Sequence, residues 1–321
     1  MLEKEYDVFT IADLCVDIIV IGDNIVPEFG QKEKLVDEYI LELGGSCSIC
    51  ACQLGKLGLK TQICGHVGKD IFGDTVIKKL KDSNVFINHV RYKSEIKTGM
   101  SISLSQKDDR AILTYNGSID SNTVEELPWE ALFKSKHLHI GSYFLQKRIQ
   151  PYIPYIAKEA KSNGLTVSLD INWDPEEQWQ SGLDELLDYV DIFFPNEEEA
   201  KAVTNEMDVI KAANKLAQKV SIVVVKRGHN GAIAKAGDKL YVSPSLDVEV
   251  HDTIGAGDSF DAGFIYGYLS DMDVESCLSI ASICGGLNTS AYGGIAGQPT
   301  LEKVFELYPD FVKKVKSIDA C

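Results

Sequence analysis

The chain has 321 residues, 45% of them hydrophobic, which is enough to bury the core of one large domain with an appendage. A formal net charge of −16 and a pI near 4.8 argue against nucleic acid or an anionic membrane surface as partner, so an anionic ligand has to be held by local donors. No apolar run approaches the roughly 18 residues of a membrane span, and the opening Met1-Leu2-Glu3-Lys4-Glu5 has no signal-peptide pattern.

In chain order, strand-like runs fall at Val8 to Ala12, Thr61 to Val67, His137 to Ile140, Thr166 to Asp170, Asp191 to Pro195 and Ser221 to Lys226. Helical patterns alternate with them, which predicts an α/β fold with a parallel sheet sandwiched by helices. The clearest helix is Asp208 to Val220, where Val209, Ala212, Ala213, Leu216 and Val220 form one face. Two segments break the alternation, Asp17 to Leu43 and Ile87 to Ser118. In the second, Thr98 to Ser105 and Ala111 to Tyr115 read as strands joined by the turn Gln106-Lys107-Asp108-Asp109. The expectation is a small β-sheet lid made of residues 17–43 and 87–118 on a core of residues 1–16, 44–86 and 119–321. A lid of this kind shields a reaction from water; an edge hairpin of the main sheet is the alternative.

Four groups of residues carry chemistry. Gly44 and Gly45 open a small-residue helical run that reaches Gly58 and allow a ligand to approach the backbone closely. Asn196 and Glu199 share a helix face just after a strand, suited to Mg²⁺-bound waters and also to a helix cap. Lys226 ends a strand, and Gly228 and Gly231 follow in a turn, so its ammonium could reach a phosphate or simply lie in solvent. The run Asp252-Thr253-Ile254-Gly255-Ala256-Gly257-Asp258 follows Val248 to His251, which alternates like a short strand, and precedes the helically spaced Phe260, Phe264, Ile265, Tyr268 and Leu269. Glycines at a helix start leave unpaired N–H groups facing outward, an anion site with Asp258 beside it as a candidate general base.

Together the Gly44 and Asp252 motifs resemble the two sequence hallmarks of the ribokinase-like (phosphofructokinase B) family of sugar kinases. Asp13 and Asp17, Gly141-Ser142-Tyr143, Asn196 to Glu199 and Lys226 to Ala232 extend the resemblance over nearly the whole chain. It implies a three-layer α/β/α Rossmann-like core with a β-lid, ATP as donor with Mg²⁺, and a sugar or polyol as acceptor. It implies Asp258 as base and the amides of Gly255, Ala256 and Gly257 as anion hole. Asp13, Asp17, Gly44, Gly45 and Asp252 fall in the substrate region, and Asn196, Glu199, Lys226, Gly228 and Gly231 in the nucleotide region. Cys284 and Asn288, on the small-residue helix Ala281 to Ala291, become neighbours of adenine. Asp252, the Ile254 carbonyl and carbonyls of Ser290 to Gly294 match a monovalent-cation region, with K⁺ as the candidate, and a homodimer through the lid is a further family expectation.

The pattern breaks at two places. Ile49 stands where many relatives have an asparagine that binds a sugar hydroxyl. Asp170-Ile171-Asn172-Trp173-Asp174 ends in an acid where relatives acting on 2-keto-3-deoxygluconate carry arginine, which speaks for a neutral sugar if Asp174 faces the substrate. A nucleoside acceptor is the alternative, with Tyr115, Tyr143, Phe144 and Trp173 as candidate stacking residues; a non-catalytic binding protein is another.

The cysteines at 15, 47, 50, 52, 64, 277, 284 and 321 lie mostly in apolar or small-residue runs, as reduced thiols of a cytoplasmic protein do. Cys47, Cys50, Cys52 and Cys64 lack paired C-x-x-C spacing, and His137 and His139 share a strand face without a third ligand, so neither set reads as a metal site. The chain has no P-loop run and no complete dinucleotide fingerprint.

Overall fold

The alternating strand and helix patterns close into an α/β/α sandwich, seen in a computed structural model that describes residues 2–22, 25–106 and 109–319. The turn residues Lys107 and Asp108, and Cys321, lie outside the described residues. The first part of the chain contains β1 (Tyr6–Ile11), β2 (Cys15–Ile21), β3 (Glu38–Gly44), α1 (Ser46–Lys56), β4 (Thr61–Gly68), α2 (Ile71–Asp82), β5 (Phe86–Lys93), β6 (Gly99–Gln106) and β7 (Asp109–Tyr115). The middle contains α3 (Trp129–Phe133), β8 (Ser135–Ile140), α4 (Ile153–Ser162), β9 (Thr166–Leu169), α5 (Leu183–Leu187), β10 (Ile192–Phe193), α6 (Glu197–Thr204) and α7 (Val209–Leu216). Then follow β11 (Ile222–Lys226), β12 (Ala232–Ala236), β13 (Lys239–Ser243), α8 (Ala256–Leu269), α9 (Val274–Asn288), α10 (Leu301–Phe311) and β14 (Lys316–Asp319).

Ten strands form the large sheet in the order β14-β13-β12-β11-β10-β9-β8-β1-β4-β5. Consecutive side chains of its central strands enter different cores: Phe9 and Val223 pack with α4, α5 and α7, while Val8 and Val224 pack with α1, α8 and α9. Burial on both faces is why these strands read as apolar runs. Their carboxyl ends converge on one edge, which places Asp13, Asp170, Asn196 and Lys226 together at the location where open α/β sheets bind ligands.

The structure departs from the sequence expectation in three places. The sheet is parallel only from β11 to β5, because β12, β13 and β14 complete it as an antiparallel edge. Residues 86–93, most of which were expected in the lid, form β5 and pair parallel with β4. This strand follows directly on α2, and a β-α-β connection returns it to the same sheet. Val248 to His251 forms no strand; the His251 N–H instead bonds the Thr289 carbonyl at the end of α9.

The second sheet has the order β3-β2-β6-β7. Its register sorts the side chains by face. Val16, Ile18 and Val20 align with Leu43, Leu41 and Tyr39 and with Met100, Ile102 and Leu104, whereas Asp17 aligns with Glu42 and Ser101, and Ser101 with Thr114. One face is therefore apolar and the other carries Asp17, Ser101 and Thr114.

Candidate active site

The site is built on the first turn of α8. Gly255 caps it at φ 72, and a Cβ there would lie 2.7 Å from Gly294, so the turn needs glycine. No side chain caps this helix, and its first i to i−4 bond runs from Ser259 N to Gly255 O. The Ala256 N–H turns back to the Thr253 carbonyl at 3.3 Å. Of the amides expected as an anion hole, that of Ala256 is thus engaged, whereas those of Gly257 and Asp258 precede the first helical donor, Ser259 N, and have no i to i−4 acceptor in the helix.

Asp258 accepts a hydrogen bond from Ser46 Oγ at 2.5 Å. Burial and the nearby Asp170 charge push its carboxyl up to about 7, against the pull of Ser46 and Lys226. Such a group is ionised near neutrality yet basic enough to take a hydroxyl proton. Ser46 is held in turn through its backbone N–H, which bonds Asp13 at 2.8 Å, beside the Cys47 N–H at 3.0 Å. Ser142 Oγ also donates to Asp13, and burial raises that carboxyl despite these donors. Gly45, at φ 88, permits this approach, because a Cβ would collide with the Asp13 carbonyl. Ser142 and Asn172 are themselves left-handed, at φ 50 and 54, and are joined by the Ser142 N–H donating to Asn172 Oδ1 at 2.7 Å. Backbone outliers of this kind gather at functional sites.

Lys226 does not extend toward solvent. Its ammonium lies 2.5 Å from Asp170 and 3.2 Å from Asp261, both buried. Burial acts to lower its pKa, but the two carboxylates outweigh that and hold it above the ordinary lysine value. Sequence reading gave no role to Ser46, Ser142, Asp170 or Asp261. Only Asp261, one helical turn after Asp258 on an otherwise apolar face, carried a signal that could have been noticed.

Asn196 and Glu199 form a reciprocal capping box on α6, at 2.8 and 2.9 Å. Glu199 is buried, and burial followed by the Asp170 charge raises it to about 7. Gly228, at φ 55, has open space around it, whereas a Cβ on Gly231 would strike the Ser243 carbonyl. Cys284 and Asn288, expected beside adenine, both point inward. Cys284 packs in the core with Cys50 and Phe264, and Asn288 donates to the Ile254 carbonyl at 2.8 Å. Asp252 gathers the loop it was expected to share, accepting from Ile254 N at 3.0 Å and Gly293 N at 2.9 Å. Asn288 Oδ1 is buried beside this loop with no hydrogen-bond partner among the described residues.

Asp17 lies against the diglycine, since a Cβ on Gly44 would collide with its carboxylate. Ile49 is buried beneath Gly255 and Gly294, where it forms an apolar wall. Asp174 does not face this space. Its oxygens accept from the backbone of Glu176, Gln178 and Trp179, so it organises its own loop, and the argument from it for a neutral sugar lapses. Tyr143 and Phe144 are core residues; Trp173 remains 50% exposed, edge-on to Trp179. His137 and His139 are buried, bonded to Thr166 and Ser168, and desolvated to about 3 and 4. The seven described cysteines are free and buried.

Comparisons with known proteins agree with this fold. Residues 7–301 match the profile of the pfkB family carbohydrate kinases. The chain is 27% identical over 305 residues to a 2-dehydro-3-deoxygluconokinase of Bacillus subtilis (strain 168), covering 90% of this chain and 94% of that one. It superposes with a TM-score of 0.84 and 25% identity on the E. coli protein crystallised with ATP and Mg²⁺ under the name Ribokinase II, over 96% of this chain and all of the other. The fold is shared with an adenosine kinase from Sinorhizobium meliloti, at a TM-score of 0.81 and 22% identity over 94% and 99% of the two chains. An uncapped, glycine-led helix start with a basic aspartate, at the carboxyl edge of this sheet, thus sits in a chain that belongs to the pfkB family, the ATP-dependent kinases of sugars and nucleosides.

Proposed function

We propose that this chain transfers the γ-phosphoryl group of Mg·ATP to a hydroxyl of a neutral sugar or polyol, with Asp258 as general base. The observation that carries the reading is Asp258 itself, raised to about 7 at the start of a helix that no side chain caps. The residues present fit the nucleotide. The first turn of α8 offers amides to phosphate, Gly228 stands in open space, and the oxygens of Glu199 and Asn196 suit the waters of Mg²⁺. Bound Mg·ATP supplies the electrophilic phosphorus. Asp258 then takes the proton of the acceptor hydroxyl, the amides of Gly257 and Asp258 receive charge developing on the phosphoryl oxygens, and the lid excludes water.

A neutral acceptor is supported by the polar groups of the sheet edge and of the lid's polar face. Asp13, Asp17, Ser101, Thr114, Ser142 and Asn172 suit hydroxyls, whereas a sugar carboxylate would meet the Asp17 charge. The exposed Trp173 favours one second reading, a nucleoside whose base stacks on it. Asp252, the Ile254 carbonyl and the unpartnered Asn288 Oδ1 support activation by a monovalent cation. Potassium is then expected to raise the rate above sodium, and equal stimulation by both removes the idea. We further assign the enzyme to the cytoplasm, with a dimer formed through the lid.

The test is ADP release with Mg·ATP across neutral sugars, polyols, sugar acids and nucleosides. Wild type is expected to turn over one neutral sugar or polyol, and Asp258→Asn to lose roughly 10²–10⁴-fold in kcat while still binding Mg·ATP. Turnover of a nucleoside alone selects the second reading, and an active Asp258→Asn enzyme rejects the mechanism.

A further inference from the structure

Lys226 ends β11 with its ammonium 2.5 Å from Asp170 Oδ2 and 3.3 and 3.2 Å from the two oxygens of Asp261. An ammonium has three protons to donate, and the carboxyls of Asp170 and Asp261 engage this one from beneath α8. Two ionised carboxylates against one ammonium would leave a net charge in a buried place. Burial, with the Asp170 charge beside it, pushes the Asp261 carboxyl up, and Lys226 holds Asp170 down despite burial, the directions expected of two carboxyls that share one proton. With one shared proton, the cluster one helical turn from Asp258 is neutral. Gly257 lies directly over it, with a Cβ there only 3.4 Å from Lys226 Nζ.

We propose that Lys226 is a positioning residue for the general base: its ammonium neutralises Asp170 and anchors Asp261 beneath the first turn of α8, and it is not a phosphate ligand. The inference rests on the reading of Asp258 as base. The titratable groups facing Asp258 are Asp170 from the end of β9, Lys226 from β11, Asp13 from the end of β1, Glu199 from α6, Asp261 one turn on in α8 and the Cys47 and Cys50 thiols of α1, while Ser46 of α1 donates to it. Lys226 is the cation of this set. Its removal leaves Asp170 uncompensated and makes Asp258 harder to ionise.

The pH dependence of kcat/KM and the Mg·ATP affinity by calorimetry test this in Lys226→Met, Lys226→Arg and Asp261→Asn. Lys226→Met is expected to move the acid limb upward by about one unit or more, with the Mg·ATP Kd changed less than about threefold. Lys226→Arg is expected to hold the limb near its wild-type position. A loss of about tenfold or more in Mg·ATP affinity with an unmoved limb would make Lys226 a phosphate ligand and overturn the proposal. Should Lys226→Met fail to fold, the isosteric Asp261→Asn still decides. It leaves the limb in place if Asp261 already carries the proton, and a limb lowered by about one unit refutes the neutral cluster. Asp258→Asn is measured first, so that an unmoved limb in an enzyme that requires Asp258 counts against Lys226 alone.

Discussion

Asp258 owes its basicity to a balance between the burial and Asp170 that raise its pKa and the Ser46 hydroxyl and Lys226 ammonium that lower it. Because the base acts in its ionised form, kcat/KM is expected to fall about tenfold per pH unit below about 7. Ser46→Ala removes a donor to the ionised form, so its acid limb moves up by roughly half a unit to one unit, while kcat at pH 9 stays within about threefold. A pH profile identical to wild type would show that Ser46 only packs. The place of Asp258 in the first turn of α8 was legible in the sequence because glycines followed by an acid at a helix start form a local pattern. The cluster beneath it was not, because Asp170 and Asp261 reach Lys226 across 56 and 35 residues and no spacing announces that meeting. The direction of Asp174 was open in the sequence for a related reason: an acid in a loop often serves the backbone N–H groups just after it.

At the scale of elements, the start of α8 depends on Gly255. Gly255→Ala puts a Cβ against Gly294 at a positive φ, and the expected cost is about 1–3 kcal/mol in stability with roughly 10²-fold in kcat. Thermal melts and single-turnover rates measure the two losses, and a fully active Gly255→Ala would mean that the turn can form without its left-handed cap. Helices α7 and α8 and the buried parallel strands were readable because their apolar periodicity reflects one covered face or two. Strand β5 was assigned to the wrong sheet because an edge strand, exposed along much of its length, has a mixed pattern that fits either sheet. Val248 to His251 alternates like a strand but meets the end of α9 instead of a neighbouring strand. Alternation describes a surface to be covered, and the rest of the chain decides what covers it.

For the whole molecule, the lid's two faces assign it two tasks. The polar face, with Asp17 and Ser101, suits the acceptor. The apolar face is covered by the core near Val16 and Leu43, but leaves Tyr39 68% and Leu113 63% exposed at its outer end. If the dimer forms there, wild type sediments as a dimer and Leu113→Asp as a monomer at the same concentration. A monomeric wild type would remove the dimer, and a dimeric Leu113→Asp would move the interface elsewhere. The sandwich and a separate lid sheet were visible in the sequence as alternation and its interruption. The antiparallel β12 to β14 edge was not, because β14 reaches β13 only after α8, α9 and α10 have intervened, and no local pattern announces a pairing so distant in the chain.

The short hydrogen bond between Ser46 and Asp258 joins residues 212 apart in the chain. Closing so long a loop costs entropy that only the assembled sheet can offset, and contacts of this separation form late in folding. Helix content can therefore recover in a refolding chain before the base has met its serine, and enzymatic activity is the stricter witness that the last loop has closed.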